Sequence, residues 1–179
     1  MTEPSERPTY LPPPRQANIT LKQSLIVIGI MILLALGVRY TLRFVGKSML
    51  CGTHLSALAR AFNIYASENG DKYPPPDKWC DLLLEVDGIT TDTFTCPYMK
   101  KGRCSYSMNP NADMPTVSGK WVLLFETNAG WNTSGGPDLL NTQNHRGIGC
   151  NILFVDSTVK FVKKEDFDKL QWGQKIDRQ

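Results

Sequence analysis

Five cysteines (Cys51, Cys80, Cys96, Cys104 and Cys150) and two histidines (His54 and His145) are the side chains of this 179-residue chain best suited to covalent, metal or proton chemistry. Thiols pair as disulfides in oxidising compartments, bind soft metals as thiolates, or act as nucleophiles when a neighbour lowers their pKa. Zinc sites built on cysteine usually show close pairs, whereas here 28, 15, 7 and 45 residues intervene between successive cysteines. That spacing argues against a cysteine metal centre and leaves all five as disulfide candidates. Five is odd, so one thiol stays free or pairs between chains. Cys96 and Cys104 are near enough in sequence to close a small loop, but connectivity is not written in the spacing.

A nucleophilic reading would take Cys150 as nucleophile, His145 as base and Asp156 as the group that orients it. Cys150 and Asp156 share parity along a strand, yet Asp156 falls in a turn, far from a cysteine at the strand's start. No nucleophile elbow, His-x-x-x-His pair or phosphate-binding glycine loop accompanies them. Asp156 is expected to hydrogen-bond its own turn, His145 to bond a neighbouring loop, and the protein to be no enzyme. The oxygen-rich segment 128–138 offers Asp138 and backbone carbonyls to a calcium ion, although an ordinary loop explains the same composition. No other cofactor is implied.

These residues have to be positioned by the elements around them, and the most legible is apolar. Leu25 to Val38 is a 14-residue run without a charge, closed by Lys22 and Arg39. A helix rising about 1.5 Å per residue needs about 20 residues to cross a bilayer. The flanks supply the rest, through the long stems of Lys22, Arg39 and Arg43 and the apolar Tyr40 and Leu42. A secretory signal has a core of this length, but the tail ahead is long and proline-rich and no small-x-small cleavage site follows. The reading is therefore a retained single-pass anchor over 19–45, with the lipid bilayer as its first partner. Residues 1–18, with three consecutive prolines and little apolar content, are expected to form a disordered leader.

Charge does not orient the span, since Arg7, Arg15 and Lys22 precede it while Arg39, Arg43 and Lys47 follow it. Cysteine does: all five lie after the anchor, as they would in a periplasm that oxidises them. The leader is thus placed in the cytoplasm and residues 46–179 outside a bacterial inner membrane. Residues 1–45 hold five Lys/Arg against two Asp/Glu, which accounts for the whole net charge of +3, and residues 46–179 hold 15 of each sign. A neutral domain lacks the basic face that nucleic acid requires.

No proline interrupts the chain between Thr20 and Pro74, which predicts a helix to about residue 68. Its outer half carries Leu55, Leu58, Phe62 and Tyr65 at three- and four-residue steps, with Arg60, Ser67 and Glu68 off that stripe. Asn69-Gly70 and then Pro74-Pro75-Pro76 end it. Residues 69–118 read as loop-rich with a short helix near 77–86. Strands are predicted at 120–126, 151–155 and 158–162, the last two joined by a two-residue Asp156-Ser157 turn, within a sheet region spanning 119–162 ahead of a C-terminal tail in which Glu165–Trp172 reads as a short closing helix. A long helix laid on a small antiparallel sheet is an α+β arrangement.

Three ordered stretches carry a resemblance. Asn18-Ile19-Thr20-Leu21-Lys22-Gln23-Ser24-Leu25, the helix from Cys51-Gly52-Thr53-His54 to Asn69-Gly70…Pro74, and His145…Asp156-Ser157 with its flanking apolar runs together resemble the type IV pilin and type II secretion pseudopilin superfamily. Within it the chain is similar to prepilin-like proteins ending in a His-x9-Asp-Gly hairpin, and Phe94-Thr95-Cys96-Pro97 resembles a Cys-Pro found there. The resemblance implies a pilin-like fold and a non-enzymatic subunit that packs against other pilin-like subunits or inner-membrane secretion components. It also implies a processing junction between Asn18 and Ile19 and an assembly role for the positions of Lys22 and Gln23. The chain departs from the family there. Asn18 stands for a glycine, Lys22 for an apolar residue and Gln23 for the glutamate that neutralises a neighbour's N-terminus, while Ser157 replaces the hairpin glycine and ten residues separate His145 from Asp156. Glutamine supplies no anion to a buried ammonium. The alternative expectation is an uncleaved, anchored periplasmic binding module that joins no filament.

Overall fold

The computed structural model describes residues 20–99, 102–115 and 118–173. The leader 1–18 and the junction residues Asn18 and Ile19 lie outside the described residues. Helix α1 (Leu21–Glu68) begins with a reciprocal cap. The Thr20 backbone N–H donates to Gln23 Oε1 at 3.0 Å, and the Gln23 backbone N–H donates to Thr20 Oγ1 at 3.4 Å. This capping box satisfies two amides that a helix start otherwise leaves unpaired. At the other end Gly70 adopts φ 66°, and the Asp71 N–H reaches back to the Ala66 carbonyl at 2.9 Å. That is the left-handed termination that glycine makes cheapest.

Two units divide at residue 41. In the first, α1 exposes large apolar side chains, among them Leu25, Ile26, Met31, Leu33 and Leu36. Within Leu21–Arg43 an 18-residue window reaches a mean hydropathy of 2.3 with none of it buried, so the span is long and apolar enough to cross a membrane once.

The second unit is an α+β head. From Cys51 onward α1 buries one face, made by Cys51, Leu55, Leu58, Ala59, Phe62 and Ala66. These recur at helical steps, and a large side chain so buried contributes about 1.5–3 kcal/mol. A short helix α2 (Trp79–Leu84) adds Trp79, whose ring stacks on Phe62 with centroids 6.1 Å apart. The sheet is an antiparallel meander of β1 (Tyr106–Met108), β2 (Val122–Glu126), β3 (Gly149–Phe154) and β4 (Val159–Lys163), in that order. Ser107 pairs with Phe125, Phe125 with Ile152, and Cys150 with Val162. At Gly149 the strands approach so closely that a Cβ would run into the Val162 carbonyl.

The sheet is covered on both faces. Leu55, Leu58 and Phe62 of α1 share a core with Tyr106, Met108, Leu123, Leu124 and Leu153. Val122, Phe125, Cys150 and Ile152 form a second cluster with Leu140, Phe167, Leu170 and Trp172. Both Leu123 and Leu124 face the first core because the register shifts between Val122 and Leu124. A bulge of this kind re-aims every later side chain on the strand.

Local details refine these expectations. Strand β1, three residues long, lies within the loop-rich stretch 69–118. The closing helix expected over 165–172 is a 3₁₀ turn at Lys164–Lys169, and beyond it the Gln171 carbonyl accepts the Val122 N–H at 2.9 Å. The β3–β4 connection takes three residues rather than two. The Phe154 N–H donates to the Thr158 carbonyl, the Ser157 N–H donates to the Phe154 carbonyl, and only Ser157 is left-handed, at φ 66°. A type I turn followed by one left-handed residue is the usual three-residue hairpin.

Candidate functional site

The chemistry-bearing residues meet at the edge of the helix-side core. Cys51, on the buried face of α1, is disulfide-bonded to Cys96, with their Cα atoms 5.1 Å apart. The segment carrying Cys96 is docked twice. His54, three residues after Cys51, lies with Nδ1 2.8 Å from the Thr95 carbonyl, so that nitrogen carries the hydrogen it donates. The Cys96 N–H donates to Ser105 Oγ at 2.7 Å. The bulge in β2 turns Glu126 to the same face as Leu124, where it is fully buried.

His145 ends a 3₁₀ turn at Gln143–His145 and is aimed inward by left-handed Arg146 behind it. Its Nε2 lies 2.8 Å from Glu126 Oε2 and 2.9 Å from Oε1. Asn151, on β3, donates its backbone N–H to Glu126 Oε2 at 3.1 Å and its side-chain amide to Oε1 at 3.2 Å. The carboxylate is therefore held by three donors, which is what a buried charge needs. The rings of Tyr98 and Phe161 pack edge-on against His145, with centroids 4.9 and 5.4 Å away. Cys96 Sγ lies 3.9 Å from His145 Nε2. One ligand atom from each of Cys51, Cys96, Glu126 and His145 lies within 4.8 Å of the others.

Glu126 is the residue the sequence reading missed. Its only signal was a carboxylate closing the apolar run Val122–Phe125, where a strand end explains it as well. His145, expected to bond a neighbouring loop, touches the loop of Cys96 and Tyr98 and in addition pairs with Glu126 at the end of β2.

The nucleophilic arrangement of Cys150, His145 and Asp156 is not assembled. Cys150 belongs to the cluster on the other face of the sheet, opposite in parity to Asn151. Asp156 is exposed, and its Oδ1 accepts the Thr158 N–H at 2.9 Å within its own turn. Ser157 is tied to α1 by the Asn63 side-chain amide at 3.0 Å.

Cys80 and Cys104 are buried thiols with sulfurs 3.9 Å apart. Burial, then Cys104, holds the Cys80 thiol far above its ordinary pKa, and burial does the same for Cys150. Thiols so held are inert as nucleophiles. Asp138 is exposed on a 3₁₀ turn at Pro137–Leu139 and belongs to no convergent group of His, Cys, Asp or Glu among the described residues. Its loop is fastened instead by Asp81 of α2, which accepts the Trp131 indole N–H and the Asn132 side-chain amide. Those two donors lower the Asp81 pKa. Lys22 and Gln23 lie in the first turn of α1, far in sequence from this cluster.

A cleft of about 330 Å³ lies elsewhere, lined by Lys120, Phe154, Asp156, Lys160 and Lys169, and none of the clustered residues reaches it. The buried cluster can fasten α1 to the sheet and carry redox or metal chemistry. Comparison with protein-family models, curated proteins and solved structures finds no match to this chain.

Proposed function

We propose that this chain is a single-pass, membrane-anchored, non-enzymatic pseudopilin-like subunit that acts through helix packing in a type II secretion or type IV pilus-like assembly. In this reading its leader is cytoplasmic and its head periplasmic, at a bacterial inner membrane. One observation carries it: the 23-residue span Leu21–Arg43 contains an apolar window with no part buried, while the same helix from Cys51 onward buries a regular face. An apolar helix with no protein cover needs lipid or like helices around it. The Cys51–Cys96 bond and the neutral head suit an oxidising compartment and a packing role rather than nucleic-acid binding.

A second reading, an anchored module that never joins a filament, has its own support at the start of α1. Gln23 is engaged in capping Thr20 and carries no charge to offer a neighbouring subunit. Gln23→Glu separates the two. Glutamate keeps the capping geometry and restores an anion, so a pseudopilin should enter a shared filament more readily as the variant. Unchanged exclusion of both forms from filaments would favour the anchored module.

A further inference from the structure

We propose that the dithiol form of the head is a zinc site, with Cys51 Sγ, Cys96 Sγ, His145 Nε2 and one Glu126 carboxylate oxygen as the four ligands. These atoms come from α1, the segment after the Thr91–Phe94 turn, β2 and the Gln143–His145 turn, and all lie within 4.8 Å of one another. Tetrahedral zinc, with bonds of about 2.0–2.3 Å, sets its ligand atoms about 3.3–3.8 Å apart. The Nε2–Oε2 separation of 2.8 Å and the Sγ–Nε2 separation of 3.9 Å bracket that range. All four side chains are buried, so none has to be drawn in from solvent.

The surroundings are those of a metal centre. Asn151 fixes both Glu126 oxygens, the outer-sphere contact that orients a ligating carboxylate. Two thiolates, a carboxylate and a neutral imidazole around Zn²⁺ leave one net negative charge, where the same thiolates without metal would leave three. Four ligands of the Cys₂-His-carboxylate type suit zinc, whose geometry is set by its ligands alone. They were invisible as a motif because the sequence distance between the two cysteines is 45 residues.

Zinc and disulfide exclude each other, because both use the same two sulfurs. A small-molecule disulfide converts one form to the other. The two thiolates give it two electrons, the Cys51–Cys96 bond forms, the reagent leaves as two thiolates, and Zn²⁺ is freed.

The test uses the full-length chain in detergent, reduced with a phosphine, stripped with a chelator and titrated with Zn²⁺ alone or Co²⁺ alone. One metal per chain is expected, with cobalt giving the thiolate charge-transfer and d–d bands of tetrahedral coordination. Zinc should slow alkylation of Cys51 and Cys96 specifically, as read by peptide mapping. Oxidised glutathione should release the metal, and the disulfide form should take up none. Asn151→Ala should weaken binding about 10–100-fold. Substoichiometric binding, protection of Cys80 and Cys104 instead, or equal uptake by the disulfide form would overturn the proposal.

Discussion

Glu126 and His145 meet inside the head with Oε2 and Nε2 2.8 Å apart, and neither side chain is more than 2% exposed. One stands at the end of β2 and the other on the turn that leads into β3, so their pairing ties that connection to the strand it leaves. Removing one partner of a buried pair strands the other. Glu126→Ala should destabilise the head by about 3–5 kcal/mol, because His145 and Asn151 lose their acceptor together. His145→Gln keeps a donor near the carboxylate and should cost less. Chemical denaturation of the two variants, followed by tryptophan fluorescence, gives the order, and equal losses would deny the pair its structural role.

The disulfide closes a sequence separation of 45 residues between Cys51 and Cys96. Loop-closure entropy for that length corresponds to about 4 kcal/mol. Cys51→Ala with Cys96→Ala should lower stability by up to that amount in metal-free buffer. Thiol titration of the unfolded, unreduced chain should count three thiols, from Cys80, Cys104 and Cys150. A count of five would show that the pair is not oxidised.

Much of the helix and hairpin was legible in the sequence because their signals are local. An uninterrupted run to Pro74 and a stripe from Leu55 to Tyr65 depend only on neighbours a turn away. The site was not legible, for two physical reasons. Glu126 faces Cys51 only because β2 bulges between Val122 and Leu124, and unbroken alternation would have placed it on the face of Val122. Cys51 and Cys96 meet through the docking of His54 on Thr95, a contact between residues 41 apart. Strand β1, three residues long, is too short to carry any period.

Alkaline pH should weaken the head. Burial raises Tyr73 from its ordinary 10.0 to about 12 and holds Cys80 and Cys150 above their ordinary 9.0. Each is neutral when folded and free to ionise when unfolded, so the unfolded state loses its protons first. Their stabilising effect is complete below about pH 9 and declines as pH rises toward 12. The melting temperature should be flat with respect to these groups from pH 7 to 8.5 and fall above it. A rise there would contradict the assignment.

Ser157 occupies a left-handed position at φ 66° and also accepts a hydrogen bond from Asn63. Ser157→Gly relieves about 1 kcal/mol of backbone strain but gives up that contact and adds about 0.5–1 kcal/mol of chain entropy on unfolding. The terms nearly cancel, so stability should change by less than about 1 kcal/mol. Ser157→Val, which is β-branched and loses the acceptor, should cost more than the glycine variant. Thermal melts of the two variants compare these terms directly.

The most direct test of a packing role is photo-crosslinking from α1 in native membranes. A photoreactive residue is placed singly at each position from Leu25 to Leu36, and adducts are identified by mass spectrometry. Helix packing is expected to give protein adducts recurring every three to four positions, with another single-anchor, pilin-like chain or a second copy as the partner. Adducts with lipid alone at every position would contradict it.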